Sequence, residues 1–216
     1  VAVAVVALTL TGCSGKKNSN TDKGVGNNIN LENTASEREK NPVPEEYDED
    51  ACGEDITWNY DENSGVLTVT GDGEMWDYIA KEDGSSFYDE VDTPWDDYDV
   101  DTVVIADGVE RIGDYAFEKC TYLYTVEMPD SVTSIGNDAF SSCYRLTSIT
   151  IPNSVISIGY SAFYGCTSLT SITIPNSATS IGDSAFSGCT NLINITIPNS
   201  VISIGYFAFY DCTSLT

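Results

Sequence analysis

The chain repeats itself every 23 residues. Ile112, Ile135, Ile158, Ile181 and Ile204 recur at that step, each followed by a glycine, from Gly113 to Gly205. Phe117, Phe140, Phe163, Phe186 and Phe209 keep it too, each after an alanine. Cys120, Cys143, Cys166, Cys189 and Cys212 follow, then Leu123, Leu146, Leu169, Leu192 and Leu215, while Pro129, Pro152, Pro175 and Pro198 complete the register. Written out, the unit is L-x-x-I-x-I-P-x-S-V-x-S-I-G-x-x-A-F-x-x-C-x-x, and five copies run from about Val103 to Thr216. A unit this short cannot bury its own apolar residues. Copies must stack, so that like residues form columns and the core runs continuously through them. Ladders of phenylalanine, isoleucine and leucine are expected.

Within one unit, Leu169, Ile172 and Ile174 alternate with polar residues as a short strand does, and Pro175 ends the ladder because it has no N–H. Ile181-Gly182 is read as a turn in which glycine supplies conformational freedom. Ala185-Phe186 with Cys189 has the spacing of a short helical turn facing inward. The outward strand positions are then Thr125, Glu127, Ser148, Thr150, Ser171, Thr173, Asn194 and Thr196. Tyr160, Tyr164, Tyr206 and Tyr210 recur in alternate copies and belong on another face.

The period and the L-x-x-I-x-I core fall in the leucine-rich repeat range. More specifically, I-P-x-S-V-x-S-I-G-x-x-A-F-x-x-C resembles the BspA-like leucine-rich repeats of bacterial surface proteins. One departure is Ala178, where the other copies have Val109, Val132, Val155 and Val201. The resemblance implies a repeat solenoid with parallel β-strands on its concave face and short helical or turn segments opposite. It also implies surface adhesion, through binding of a protein or glycan on a host or neighbouring cell. The eight strand positions are candidate ligand contacts on the concave face, and the four tyrosines form a second candidate patch, since tyrosine is enriched at interfaces.

Residues 1–13 read as an address. Val1 to Leu10 is too short to span a bilayer, and Leu10-Thr11-Gly12-Cys13 resembles a bacterial lipobox, which implies cleavage before Cys13 and lipidation of its sulfur. The start lacks a methionine and a basic n-region, so sequence is expected to precede it. Residues 14–50 hold few large apolar side chains and read as a disordered spacer, about 30–35 Å across as a coil. Residues 51–102 read as a β-rich N-terminal cap. Ile56–Tyr60 and Val66–Thr70 form a hairpin about the loop Asp61–Gly65. The order Cys52-Gly53, Trp58, Leu67-Thr68-Val69, Gly71-x-Gly73-x-Met75 and Pro94-Trp95 resembles the segment that often precedes such repeats. Trp58, Trp76 and Trp95 are candidates to cover the open core, or alternatively to form a platform for a sugar. The chain stops at Thr216, within a unit, so further sequence is expected to follow.

Charge narrows the function. The formal net charge is -25, and residues 45–101 hold 21 acids and one base, whereas from Tyr124 onward there are 5 acids and one base. A nucleic acid partner is excluded, because binding one depends on neutralising phosphates. There is no histidine, which removes Ser-His-Asp and Cys-His nucleophile systems and the usual zinc sets. Asp92, Asp96, Asp97, Asp99 and Asp101, with Asp61-x-Asn63-x-Gly65, read as solvated acid rather than a calcium site. The cysteine column, one residue per unit, favours small buried hydrophobes over disulfides or metal ligands. No catalytic residue, metal site or cofactor is expected. The reading is a lipid-anchored surface protein that binds a macromolecule. A ligand-free envelope spacer and the targeting arm of a larger secreted enzyme are the alternatives.

Overall fold

Each unit contributes two short strands, the first set by branched residues that alternate between core and solvent. The first set is β3 (Thr102–Ile105), β5 (Thr125–Glu127), β7 (Ser148–Thr150), β9 (Ser171–Thr173) and β11 (Asn194–Thr196). These pair in parallel, one unit on the next, with Val126, Ile149, Ile172 and Ile195 in one inward row. The second set is β4 (Val109–Ile112), β6 (Ser134–Ile135), β8 (Ser157–Ile158), β10 (Ser180–Ile181) and β12 (Ser203–Ile204). It too is parallel, and it aligns the isoleucines from Ile112 to Ile204. The computed structural model describes residues 41–44, 50–78 and 92–216, all within one unit spanning Glu39–Thr216. The lipobox with Cys13, and most of the spacer, lie outside the described residues.

The second ladder corrects the turn expected at Ile181-Gly182. The isoleucine belongs to a strand, and the glycine after it is conserved along the stack for space rather than conformation. A Cβ on Gly159 would lie 2.5 Å from the Gly136 carbonyl oxygen, and one on Gly182 would lie 2.5 Å from that of Gly159. Successive backbones touch along this column, and no side chain fits between them.

The Ala-Phe-x-x-Cys segment faces inward and takes the turn form of the helical or turn segment expected there. No α-helix occurs among the described residues, and so none long and apolar enough to cross a membrane. Each unit instead carries two left-handed residues four positions apart, such as Asp138 (φ 51°) with Ser142 (φ 60°), and Ser161 (φ 47°) with Gly165 (φ 67°). A helix cannot hold such residues. Alternate N–H groups are satisfied between units, Ser161, Phe163 and Gly165 donating to the carbonyls of Asp183, Ala185 and Ser187 at 2.8–2.9 Å, while Tyr164 and Cys166 donate within the unit to Ser161 O at 2.9 Å and Phe163 O at 3.3 Å. The same ladder recurs from unit to unit. The phenylalanine carbonyl is answered from the following coil by a thiol, with Cys166 Sγ donating to Phe140 O at 3.2 Å and Cys189 to Phe163 O at 3.2 Å.

The cap starts the stack. β1 (Gly53–Asp61) and β2 (Val66–Met75) form the antiparallel hairpin that the alternation predicts. β2 then belongs to both parallel ladders. Val66–Val69 pair with β3, and Gly73 and Glu74 pair with β4. The strand turns from one ladder to the other through Gly71 (φ 129°) and Gly73 (φ 106°), conformations that glycine alone adopts cheaply. One hairpin strand is thus the template for every later coil. Trp95 heads the phenylalanine column, stacked on Phe117 at 5.3 Å, and the column continues through Phe140, Phe163, Phe186 and Phe209 at 5.3–5.6 Å. Its indole N–H donates to Ala116 O at 2.9 Å. Trp76 and Trp95 are buried and Trp58 is half-buried against Trp95, so packing, not a sugar platform, occupies the tryptophans.

A buried ionic group ties cap to array. Arg111, in β4, pairs with Asp77 of the cap and with Asp114, and all three are buried. Asp77 also accepts from the Asn41 N–H at 2.8 Å, and Pro42 bridges Asp77. Asn41–Pro44, assigned above to the spacer, are therefore held against the cap.

Candidate binding faces

The eight strand residues come together. Thr125, Ser148, Ser171 and Asn194 form one row, and Thr150, Thr173 and Thr196 form another, each in register across paired strands. Glu127 extends the second row toward Val104 of β3. All are exposed except Thr125, which is half-buried, while the residues between them face the core. Strands in such ladders lie about 4.8 Å apart. The result is a regular array of hydroxyls with one amide and one carboxylate, fixed by backbone pairing on both sides of each strand except β11, which forms the edge. It can donate and accept hydrogen bonds along its length. The alternation missed Tyr124 and Ile193, both exposed, which flank this array one residue before β5 and β11. They precede the strands in a column otherwise held by Thr147 and Thr170, and that break in the column was the available signal.

The four tyrosines lie on the turn segments. Tyr160 and Tyr206 follow the crowded glycines, and Tyr164 and Tyr210 follow the core phenylalanines. All are exposed, but Asp183 and Ser187 occupy the same two positions in the coil between them. Two tyrosine pairs, separated by a whole coil, replace the single expected patch. Backbone bonding fixes their bases, since Tyr160 N–H donates to Asn137 Oδ1 at 2.9 Å and Tyr206 N–H to Asp183 Oδ1 at 2.7 Å.

Titratable chemistry is muted. Burial pushes the Cys166 thiol up to about 12, and also raises Cys143 and Cys189. These cysteines are free and buried, a setting opposite to that of a reactive thiolate. Cys52 is likewise free and buried, its thiol pushed up to about 12 by burial and then by Asp50. Asp61 is occupied within its own turn. Its carboxylate accepts from Ser64 Oγ at 2.7 Å and Asn63 N–H at 3.0 Å, and the Ser64 bond is the main reason its pKa is lowered. Among the described residues, no three acid, cysteine or histidine side chains are grouped to hold a metal ion.

One feature was not visible in the spacing. A cavity of about 410 Å³ opens where the cap meets the first coil, between Asp92–Val100 and Glu118–Tyr122. Trp95, Tyr98 and Tyr122 wall it, and carboxylates line its rim.

A solenoid of parallel strands with a 23-residue period and stacked side-chain columns is a leucine-rich repeat fold. The family model for the BspA type leucine rich repeat region matches residues 95–216 in six copies, and the chain belongs to that family. The match begins at Trp95, where the tryptophan takes the phenylalanine position of the later coils. Among solved structures, a leucine-rich repeat protein from Bacteroides ovatus is 32% identical over 75% of this chain, with a TM-score of 0.53. A leucine rich cell surface protein from Faecalibacterium prausnitzii is 27% identical over 81% of this chain and 54% of its own, with a TM-score of 0.46. A leucine rich repeat protein from T. pallidum is 22% identical over 81% of this chain and 91% of its own, with a TM-score of 0.47. The chain spans 45% of the Bacteroides ovatus protein. No curated protein matches it.

Proposed function

We propose that this protein is lipid-anchored to the outer face of a bacterial envelope and binds a protein or glycan of a host or neighbouring cell, as an adhesin. The observation that carries the reading is the exposed, in-register polar array from Thr125 to Thr196. Its backbone is fixed by parallel pairing, so little order is lost on contact, and preorganisation of this kind favours macromolecular recognition. The membership in the BspA type family and the motif Leu10-Thr11-Gly12-Cys13 support the location, with Cys13 as the lipidated residue.

The test is a binding screen of the secreted chain against host proteins and glycans, followed by the triple variant Thr150→Ala, Thr173→Ala, Thr196→Ala. Saturable binding, weakened at least about tenfold in the variant, is expected when three central hydroxyls are lost. Absence of saturable binding, together with unchanged adherence of a deletion strain, would sink the adhesin reading. Intact affinity in the threonine variant, with a loss when Tyr160, Tyr164, Tyr206 and Tyr210 become alanine, would assign binding to the turn side. The anchor is checked separately by fatty-acid labelling, which Cys13→Ala should abolish.

A further inference from the structure

The cavity at the junction of cap and first coil has features that the polar array lacks: depth, aromatic walls and strong charge. Its floor is rigid. Trp95 is buried, bonded to Ala116 and stacked on Phe117. Tyr98 is braced edge-on by Trp58 at 5.8 Å and by a tilted Tyr60 ring at 4.7 Å, and Tyr60 donates its hydroxyl to Asp99 O at 2.9 Å. Tyr122 closes the opposite side and is exposed. Tyr98 and Tyr122, both exposed, therefore border one volume, with the buried Trp95 beneath them. The Trp58 indole N–H behind them has no acceptor among the described residues.

Charge selects what could enter. Among the described residues, Asp92, Asp96, Asp97, Asp99 and Glu118 line the cavity with one ammonium, Lys119. Lys119 Nζ lies 3.6 Å from Glu118. Burial raises the pKa of Glu118, and burial followed by the charges of Asp92 and Asp97 raises that of Asp96. Glu118 is paired with Lys119, whereas Asp96 accepts hydrogen bonds from Thr93 and has no cation beside it among the described residues, so Asp96 would gain from one. A bare metal ion does not fit, since no three carboxylates converge among the described residues. An organic cation does, because aromatic faces attract one and the volume admits its stem. The protein itself shows the contact: the Arg145 guanidinium lies over the Tyr122 ring, 5.8 Å from its centroid.

We propose that this cavity receives an arginine side chain from a basic segment of a partner protein, held between the exposed Tyr98 and Tyr122 and paired with the rim carboxylates. The inference stands apart from the polar array and does not depend on it. The array and the cavity would engage different surfaces, the cavity adding electrostatic steering toward positive partners.

Calorimetry of the full chain with a short arginine-containing basic peptide tests this, alongside the same peptide with citrulline in place of arginine. Saturable binding of the arginine peptide, at least about fivefold weaker for the citrulline form, is expected from loss of the cation–π and ionic contacts. Tyr122→Leu keeps the apolar bulk and should weaken binding by about fivefold. Asp97→Asn with Asp99→Asn should do likewise. Asp72→Asn with Glu74→Gln, acids of the cap outside the cavity, should change little. Equal losses in the last variant and the cavity variants would show attraction to general acidity and overturn the site. So would absence of peptide binding, including the case where a neutral oligosaccharide binds instead.

Discussion

At the residue scale, the phenylalanine column carries the most weight per side chain. Phe163 is fully buried and stacked on both sides at 5.3–5.4 Å, whereas Phe209 is half-buried and stacks on Phe186. Replacing a buried phenylalanine with alanine costs about 3–5 kcal/mol through lost transfer energy and the cavity left behind. Phe163→Ala should fall in that range, and Phe209→Ala should cost about half as much, as read from urea midpoints by far-UV circular dichroism. A second residue is out of balance with its column. Asp138 stands in a left-handed position filled by Ser161 and Ser184 in later coils. Burial, then Glu118 and Asp114, push its carboxyl up to about 7, and Asp138 heads the charges that, after burial, help push the neighbouring Tyr115 hydroxyl up to about 12. A carboxyl whose folded pKa exceeds its unfolded value stabilises the fold when protonated. That contribution is complete below pH ~4 and is lost as pH rises through about 7. Asp138→Asn keeps the shape and tolerates the left-handed backbone. It should therefore stabilise the protein by on the order of 2 kcal/mol at pH 8 and by little at pH ~4. Equal effects at both pH values would show that ionisation is not the cause.

At the scale of the element, glycine does two different jobs in the coil, and the positions separate them. Gly165 has φ 67°, and a Cβ there would meet nothing closer than 3.8 Å. Gly159 has an ordinary backbone, but its Cβ would fall 2.5 Å from the Gly136 carbonyl oxygen. Gly165→Ala should cost about 1 kcal/mol for the left-handed conformation. Gly159→Ala should cost about 3 kcal/mol or more, because adjacent coils must part. Similar costs in the two variants, measured by urea unfolding, would remove the distinction. The sequence could not make it. Both glycines sit in turn-like surroundings, and only the contact between successive backbones tells crowding from conformation. The same limit explains the missed second ladder. Ser180-Ile181 is two residues long, too short to show alternation, and it forms a strand only because the same pair in the neighbouring coils lies alongside. The first ladder was legible because Ser171, Ile172 and Thr173 alternate within one unit. The junction cavity was invisible for a third reason. It depends on Tyr98 and Tyr122 bordering one volume from adjacent coils, at positions that the repeat does not hold constant.

At the scale of the whole molecule, the acidity and the repetition are separate properties with separate consequences. The charge gathers in the cap, where β2 templates both ladders and Arg111 locks Asp77 to Asp114. The array beyond it is nearly neutral and is held by contacts between adjacent coils, so its stability should add up coil by coil. This makes a sharp prediction about length. Deleting Thr150–Ile172 removes one full period and joins Ile149 to Thr173, which restores S-I-T-I-P and every column. Deleting Thr150–Thr173 removes one residue more. The shortened coil must then place Ile174 at an outward strand position or break its backbone ladder, since a one-residue slip inverts the facing of every strand side chain. A surplus residue could be looped out, but a missing one cannot be supplied. The full-period deletion should unfold cooperatively, with a urea m-value lowered in proportion to the surface removed. The longer deletion should be less stable than the full-period deletion by about 3 kcal/mol or more, or lose its cooperative transition. Matching transitions for the two deletions would mean that the columns do not set the register of the stack.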